Sequence, residues 1–180
     1  MAAEATASGT PRTVIVLVLV PEASCTPSHS MHLLHLLQTS GYATMKDDLA
    51  STGHYEYISI EDEIKYIHSK MLLPILEGEN YNVILLTYSY SGIPGGAAAK
   101  GLSKQERANQ GKTNSVIDQI HIMALVTTGG DGKSIRDLFG GQMPLHVAVD
   151  VSLESFGAAI LLPVGHHVMI SNSLTTFLCF

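Results

Sequence analysis

The sequence predicts an α/β protein with a mostly parallel sheet and helices on both faces. Two observations carry that reading. Short runs dense in β-branched and apolar residues, such as residues 13–20 and 81–86, lack the polar alternation of a half-solvated strand and so mark strands buried on both faces. Segments with helical spacing separate these runs, giving the order strand–helix–strand–helix–strand–helix–strand, which a parallel sheet with crossover helices satisfies. A chain of 180 residues is most simply one domain.

The elements follow in order. Residues 1–12 are small and polar and are expected as a loose tail, leaving 13–180 as the domain. Residues 13–20 form the first strand, and a Pro/Ser/Thr-rich turn spans 21–30. Residues 31–37 (MHLLHLL) have helical spacing and run to Gly41, a C-cap candidate. A short strand is expected over 42–45. Residues 60–76 carry the capping pair Ser59 and Asp62, apolar residues at Ile64, Ile67, Met71 and Ile75, and Pro74 near the end, which describes an amphipathic helix. Residues 81–86 are a buried strand, 93–102 a small-residue helix, 104–113 a polar, solvated loop or helix end, and 115–126 a strand. Gly129-Gly130-Asp131-Gly132 reads as a turn, 134–139 as a short helix, and 145–149 and 158–162 as further apolar runs. There is no internal repeat and no low-complexity segment.

Composition narrows the function classes. With 46% hydrophobic and only 14% charged residues, the chain has enough apolar surface for a core and no compositional case for disorder. The formal charge is -6 and the ten Lys and Arg are scattered, which argues against nucleic acid as a partner. Cys25 and Cys179 make neither a disulfide framework nor a metal pattern, as expected in a reducing cytosol. The apolar run at 14–20 is too short to cross a membrane and lacks the flanks of a signal peptide, so a cytoplasmic protein without a membrane partner is expected. No metal or other cofactor is expected: His29, His32 and His35 share helical spacing, but no fourth ligand accompanies them, and helix-surface positions are the simpler reading.

The most informative stretch is residues 85–94, LLTYSYSGIP. A buried strand stops at Thr87-Tyr88-Ser89-Tyr90-Ser91-Gly92 and a helix follows. That is the layout of the nucleophile elbow G-x-S-x-G, with Thr87 and Ser91 at the glycine positions. A hydroxyl there projects from the sheet's C-terminal edge at a helix N-terminus. Small flanking residues are needed because the turn is tight. Gly92 and the run Pro94-Gly95-Gly96-Ala97-Ala98-Ala99 let the helix pack close to the sheet. The bland alternative is an ordinary strand-to-helix turn with a capping serine.

Residues 18–53 resemble the opening of α/β-hydrolases, in particular the plant methylesterase and hydroxynitrile lyase group and related fungal hydrolases. Pro21-Glu22-Ala23 stands where that group has His-Gly-Ala, and residues 48–53 (DLASTG) stand at its Asp-Leu-x-x-x-Gly turn. The resemblance implies that the backbone N–H groups of Ala23 and Tyr90 form an oxyanion hole, although Glu22 in place of Gly puts negative charge beside it. The C-terminal stretch AAILLPVGHHVMIS resembles the segment that delivers the catalytic histidine, which falls on His166, with His167 beside it. Residues 127–157 are too few for both the family's lid and its acid-bearing strand, so the lid is reduced and the triad acid has no direct match. Asp131 is the candidate substitute and Asp150 a weaker one. The implied fold is α/β-hydrolase-like and doubly wound. The implied function is a serine hydrolase (an esterase of small-molecule metabolism) acting on a small ester, lactone or thioester through Ser89 and His166, as a dyad or with an altered triad. The alternatives are a non-hydrolytic lyase or cyclase of the same fold, or an inactive homologue that binds a ligand or partner. Apolar surface left by the reduced lid suggests a homo-oligomer.

Overall fold

A computed structural model describes residues 14–23, 27–52, 58–126, 137, 140–141, 147–150 and 158–161, the last two segments by their backbone. Strand β1 (Ile15–Val20) leads through a 3-10 turn (Pro27–Ser30) into helix α1 (Met31–Thr39), then strand β2 (Ala43–Lys46). Helix α2 (Ile60–Tyr66) continues through two wider turns, Ile67–Leu72 and Pro74–Gly78, to strand β3 (Asn82–Tyr88). A 3-10 turn (Ser89–Ser91) opens helix α3 (Gly92–Ala98), and helix α4 (Lys104–Asn109) precedes strand β4 (Val116–Ile122). Strands β5 (Val147–Asp150) and β6 (Ala158–Leu161) follow.

The first four strands form one parallel sheet in the order β2-β1-β3-β4. The expected α/β class with a parallel sheet is therefore observed. Alternation along β1 divides the core. Val16, Val18 and Val20 join Val83, Leu85, Ile67, Met71, Leu72 and Ala98 on the face covered by α2, its extension and α3. Leu17 and Leu19 point the other way, with Leu86 and with Leu34 of α1. Helices thus cover both faces, as the unbroken apolar runs require.

The expected capping pair is present: the Ser59 side chain accepts from the Asp62 N–H at 3.2 Å and the Ser59 N–H donates to Asp62 Oδ2 at 3.2 Å. The single long helix expected over 60–76 is instead widened after Tyr66. Proline lacks an N–H and its ring crowds the carbonyl four residues back, and a wider hydrogen-bonded turn accommodates both at Pro74. Gly41 takes φ +87° after α1, the left-handed C-cap its position suggested.

Two expectations need correction. Residues 104–113 are not simply a solvated run: Ser103 and Glu106 form a second capping box, and Arg107 is 2% exposed. Its guanidinium donates to the Asn114 carbonyl at 2.9 Å, to Asn114 Oδ1 at 3.0 Å and to Glu77 at 2.5 Å, so each of its three nitrogens has an oxygen partner. The strand expected over 115–126 ends at Ile122, because Met123 turns to φ 45°. The last two apolar runs hold β5 and β6, which pair with each other, antiparallel, in a two-stranded sheet. Among the described residues no helix is long and apolar enough to cross a membrane.

Candidate functional site

In a parallel α/β sheet the strands' C-terminal ends are where loops converge and ligands bind. Ser89 stands there, at the end of β3. Tyr88 is still extended (φ -126°, ψ 131°), and Gly92 is already helical (φ -58°, ψ -33°). Between them the backbone turns through Ser89 at φ 57°. Serine rarely adopts this left-handed region, at a cost of roughly 1–2 kcal/mol. The residue is therefore held there by its surroundings.

Those surroundings can be named. The Leu125 N–H, just past β4, donates to the Ser89 carbonyl at 2.8 Å. A side chain on Gly92 would overlap the Leu125 carbonyl oxygen and come within 2.9 Å of Ala124 Cβ. One on Gly95 would come within 2.6 Å of Thr87 Cγ2, so α3 lies directly against β3. Ser91 is fully buried. Its Oγ accepts from the Tyr88 N–H at 2.9 Å and its hydroxyl donates to the Val20 carbonyl at 2.9 Å, with the Tyr88 carbonyl 3.0 Å away. The side chain at one of the two elbow positions thus ties the turn to the end of β1. At the other, the buried Thr87 hydroxyl shares a 2.7 Å hydrogen bond with His121 Nδ1 on β4.

The β1–β3 register brings the expected oxyanion segment to the same edge. Val20 pairs with Thr87, so Pro21-Glu22-Ala23 leaves β1 alongside Tyr88-Ser89-Tyr90. Ala23 and Tyr90 are both half-buried, and Tyr90 packs on the larger core cluster. Among described residues other than glycine only Asn80, Ser89 and Met123 have positive φ, so the backbone of Glu22 is not left-handed.

Sequence reasoning missed the company Glu22 keeps. Burial raises its carboxyl above the usual carboxylate range, against the opposing pull of His29 and Lys46. Lys46, at the end of β2, is lowered by burial, against Asp48 and Glu22. The signal was available in the placement of Lys46 at the C-terminal end of a short strand, where a charge sits among loops and not in solvent. Nearby, Tyr66 donates to Asp47 Oδ2 at 2.7 Å, and that bond, with burial, pushes its phenol up to about 12.

His166 and Asp131 lie outside the described residues. Asp150 ends β5, in the antiparallel pair. His29, His32 and His35 are exposed, and among the described residues no group of His, Cys, Asp or Glu could hold a metal ion.

Comparisons with protein-family models, with curated proteins and with solved structures give no match. The fold and this edge define an α/β protein with a four-stranded parallel sheet and a backbone-strained serine at its C-terminal edge.

Proposed function

We propose that the protein is an α/β-hydrolase-like serine hydrolase acting on a small ester, lactone or thioester. One observation carries this reading: Ser89 is held at φ 57° between a buried parallel strand and a helix whose Gly92 and Gly95 leave no room for a side chain. Strain of this kind persists only where packing enforces it, and the strand–turn–helix context is the one that a G-x-S-x-G elbow requires. In the proposed reaction the Ser89 hydroxyl attacks the acyl carbon while His166 takes its proton. The N–H groups of Ala23 and Tyr90 hold the oxyanion. His166 then protonates the departing alcohol or thiol, and water releases the acid by the reverse sequence. Asp131 would orient His166; without it the pair acts as a dyad. A cytoplasmic location and a homo-oligomer formed through exposed apolar surface belong to the same proposal; Ile120 on β4, for example, is 44% exposed.

A second reading, a lyase or cyclase or a binding protein of the same fold, is favoured by Glu22, whose charge opposes oxyanion formation. Turnover of short-chain aryl esters and thioesters separates the two. Hydrolysis should disappear with Ser89→Ala and drop ~10³-fold or more with His166→Ala, while His167→Ala does much less. Hydrolysis that survives Ser89→Ala would refute the first reading.

A further inference from the structure

Glu22 and Ser89 follow the ends of the neighbouring strands β1 and β3. The last paired residues are Val20 and Thr87, and Glu22 and Ser89 each lie two residues beyond. Adjacent strands are only ~4.8 Å apart. The Ser91 hydroxyl's bond to the Val20 carbonyl holds the two strand ends together at this point. On the other side of β1, Leu19 pairs with Lys46, which brings the end of β2 beside the same segment. Glu22 therefore leaves β1 directly before Ala23, at the edge where the proposed site must stabilise negative charge.

We propose that Glu22 is the residue that sets when this site can stabilise an oxyanion: as a carboxylate it opposes the charge, and as a carboxylic acid it donates a hydrogen bond to it. The inference rests on the reading of Ser89 as nucleophile. An ionised carboxyl can only accept hydrogen bonds, whereas the protonated form carries an O–H donor. A carboxylic acid kept neutral in a partly apolar site is a known way to hold an oxyanion. Glu22 is half-buried, which favours its neutral form. The charged groups that act on it are His29 from the turn before α1 and Lys46 at the end of β2, with Asp48 acting on Lys46 in turn. The two basic groups limit how far the protonated form is favoured. No proton is transferred to substrate: Glu22 takes its proton from solvent, and only a hydrogen bond forms. The substrates this arrangement suits are those whose acyl group carries no negative charge of its own.

The test is the rate at which a fluorophosphonate probe modifies Ser89, read by intact mass, in the wild type and in Glu22→Gln from about pH 4.5 to about pH 8.5. Glutamine is close in shape, uncharged and always a donor. The ratio of the two rates cancels the titration of the general base. The substitution should speed labelling about tenfold or more at the alkaline end, and the advantage should shrink towards unity as the pH falls and the wild-type carboxyl takes up its proton. A ratio that stays flat with pH, or slower labelling in the variant at alkaline pH, overturns the role of Glu22 and leaves Ser89 as nucleophile. Labelling of neither protein would sink the nucleophile reading itself, and this inference with it. Lys46→Met gives an independent arm: losing the neighbouring cation should move the wild-type transition to higher pH, and an unmoved transition counts against the proposal.

Discussion

Replacing Ser89 by glycine and by alanine makes opposite predictions for stability, depending on whether its backbone is left-handed. Alanine, like serine, meets the full steric cost of φ 57°, roughly 1–2 kcal/mol. Glycine escapes that cost but loses about 0.4–1 kcal/mol through the greater freedom of its unfolded chain. The Gly variant should therefore be more stable than the Ala variant by about 1 kcal/mol. In a chain of this size that corresponds to a melting difference of roughly 2–4 °C. At an ordinary helix or strand position the order reverses, with Gly the weaker by about 0.5–1 kcal/mol. Urea denaturation of the two variants side by side measures the difference, and neither retains the hydroxyl, so loss of that group cancels. An Ala variant at least as stable as the Gly variant would refute the argument that packing imposes strain at the serine.

Other outcomes follow from the same geometry. Gly92→Ala should cost about 1–3 kcal/mol and depress Ser89 labelling, since its Cβ must displace the Leu125 carbonyl that lies against the elbow; thermal melting and probe labelling together check it. Asp131→Asn should cut turnover steeply, with folding unchanged, if Asp131 orients His166, and should leave the rate alone if the site is a dyad. The Arg107 and Lys112 bonds hold the Glu77 carboxyl down at about 2 from an ordinary 4.5. A depressed carboxyl stabilises the fold above its unfolded value, and the contribution is lost as the pH falls from about 4.5 towards 2. Urea midpoints across that range should fall more steeply in the wild type than in Glu77→Gln, and less so at high salt because Glu77 is 39% exposed.

Local signals made most of the architecture legible. Buried β-branched runs gave β1 and β3, the Ser59–Asp62 pair gave the start of α2, and Gly41 gave the end of α1. The elbow was legible because its small residues are a local necessity: Gly92 and Gly95 admit no side chain. Features that depend on distant partners were not. Arg107 looked solvated because the oxygens that match it come from Asn114 and from Glu77, thirty residues away in sequence; only the Ser103–Glu106 capping pattern pointed to a helix there. The direction in which β5 and β6 pair is set by each other and has no signature within either run. The electrostatic neighbourhood of Glu22 likewise joins β1, β2 and the turn before α1, which no single window contains. The expected base and acid, His166 and Asp131, lie outside the described residues; His166 comes from the resemblance, and Asp131 from its place in the glycine-rich turn that stands in for the unmatched acid.

The central claim is that Ser89 is an activated nucleophile. The most direct measurement is peptide mapping of the folded protein after reaction with a fluorophosphonate probe. The account predicts a single adduct on the peptide carrying Ser89, approaching one per chain, lost on denaturation before exposure and absent in Ser89→Ala. A folded protein that takes no adduct, or takes it at another residue, would contradict it.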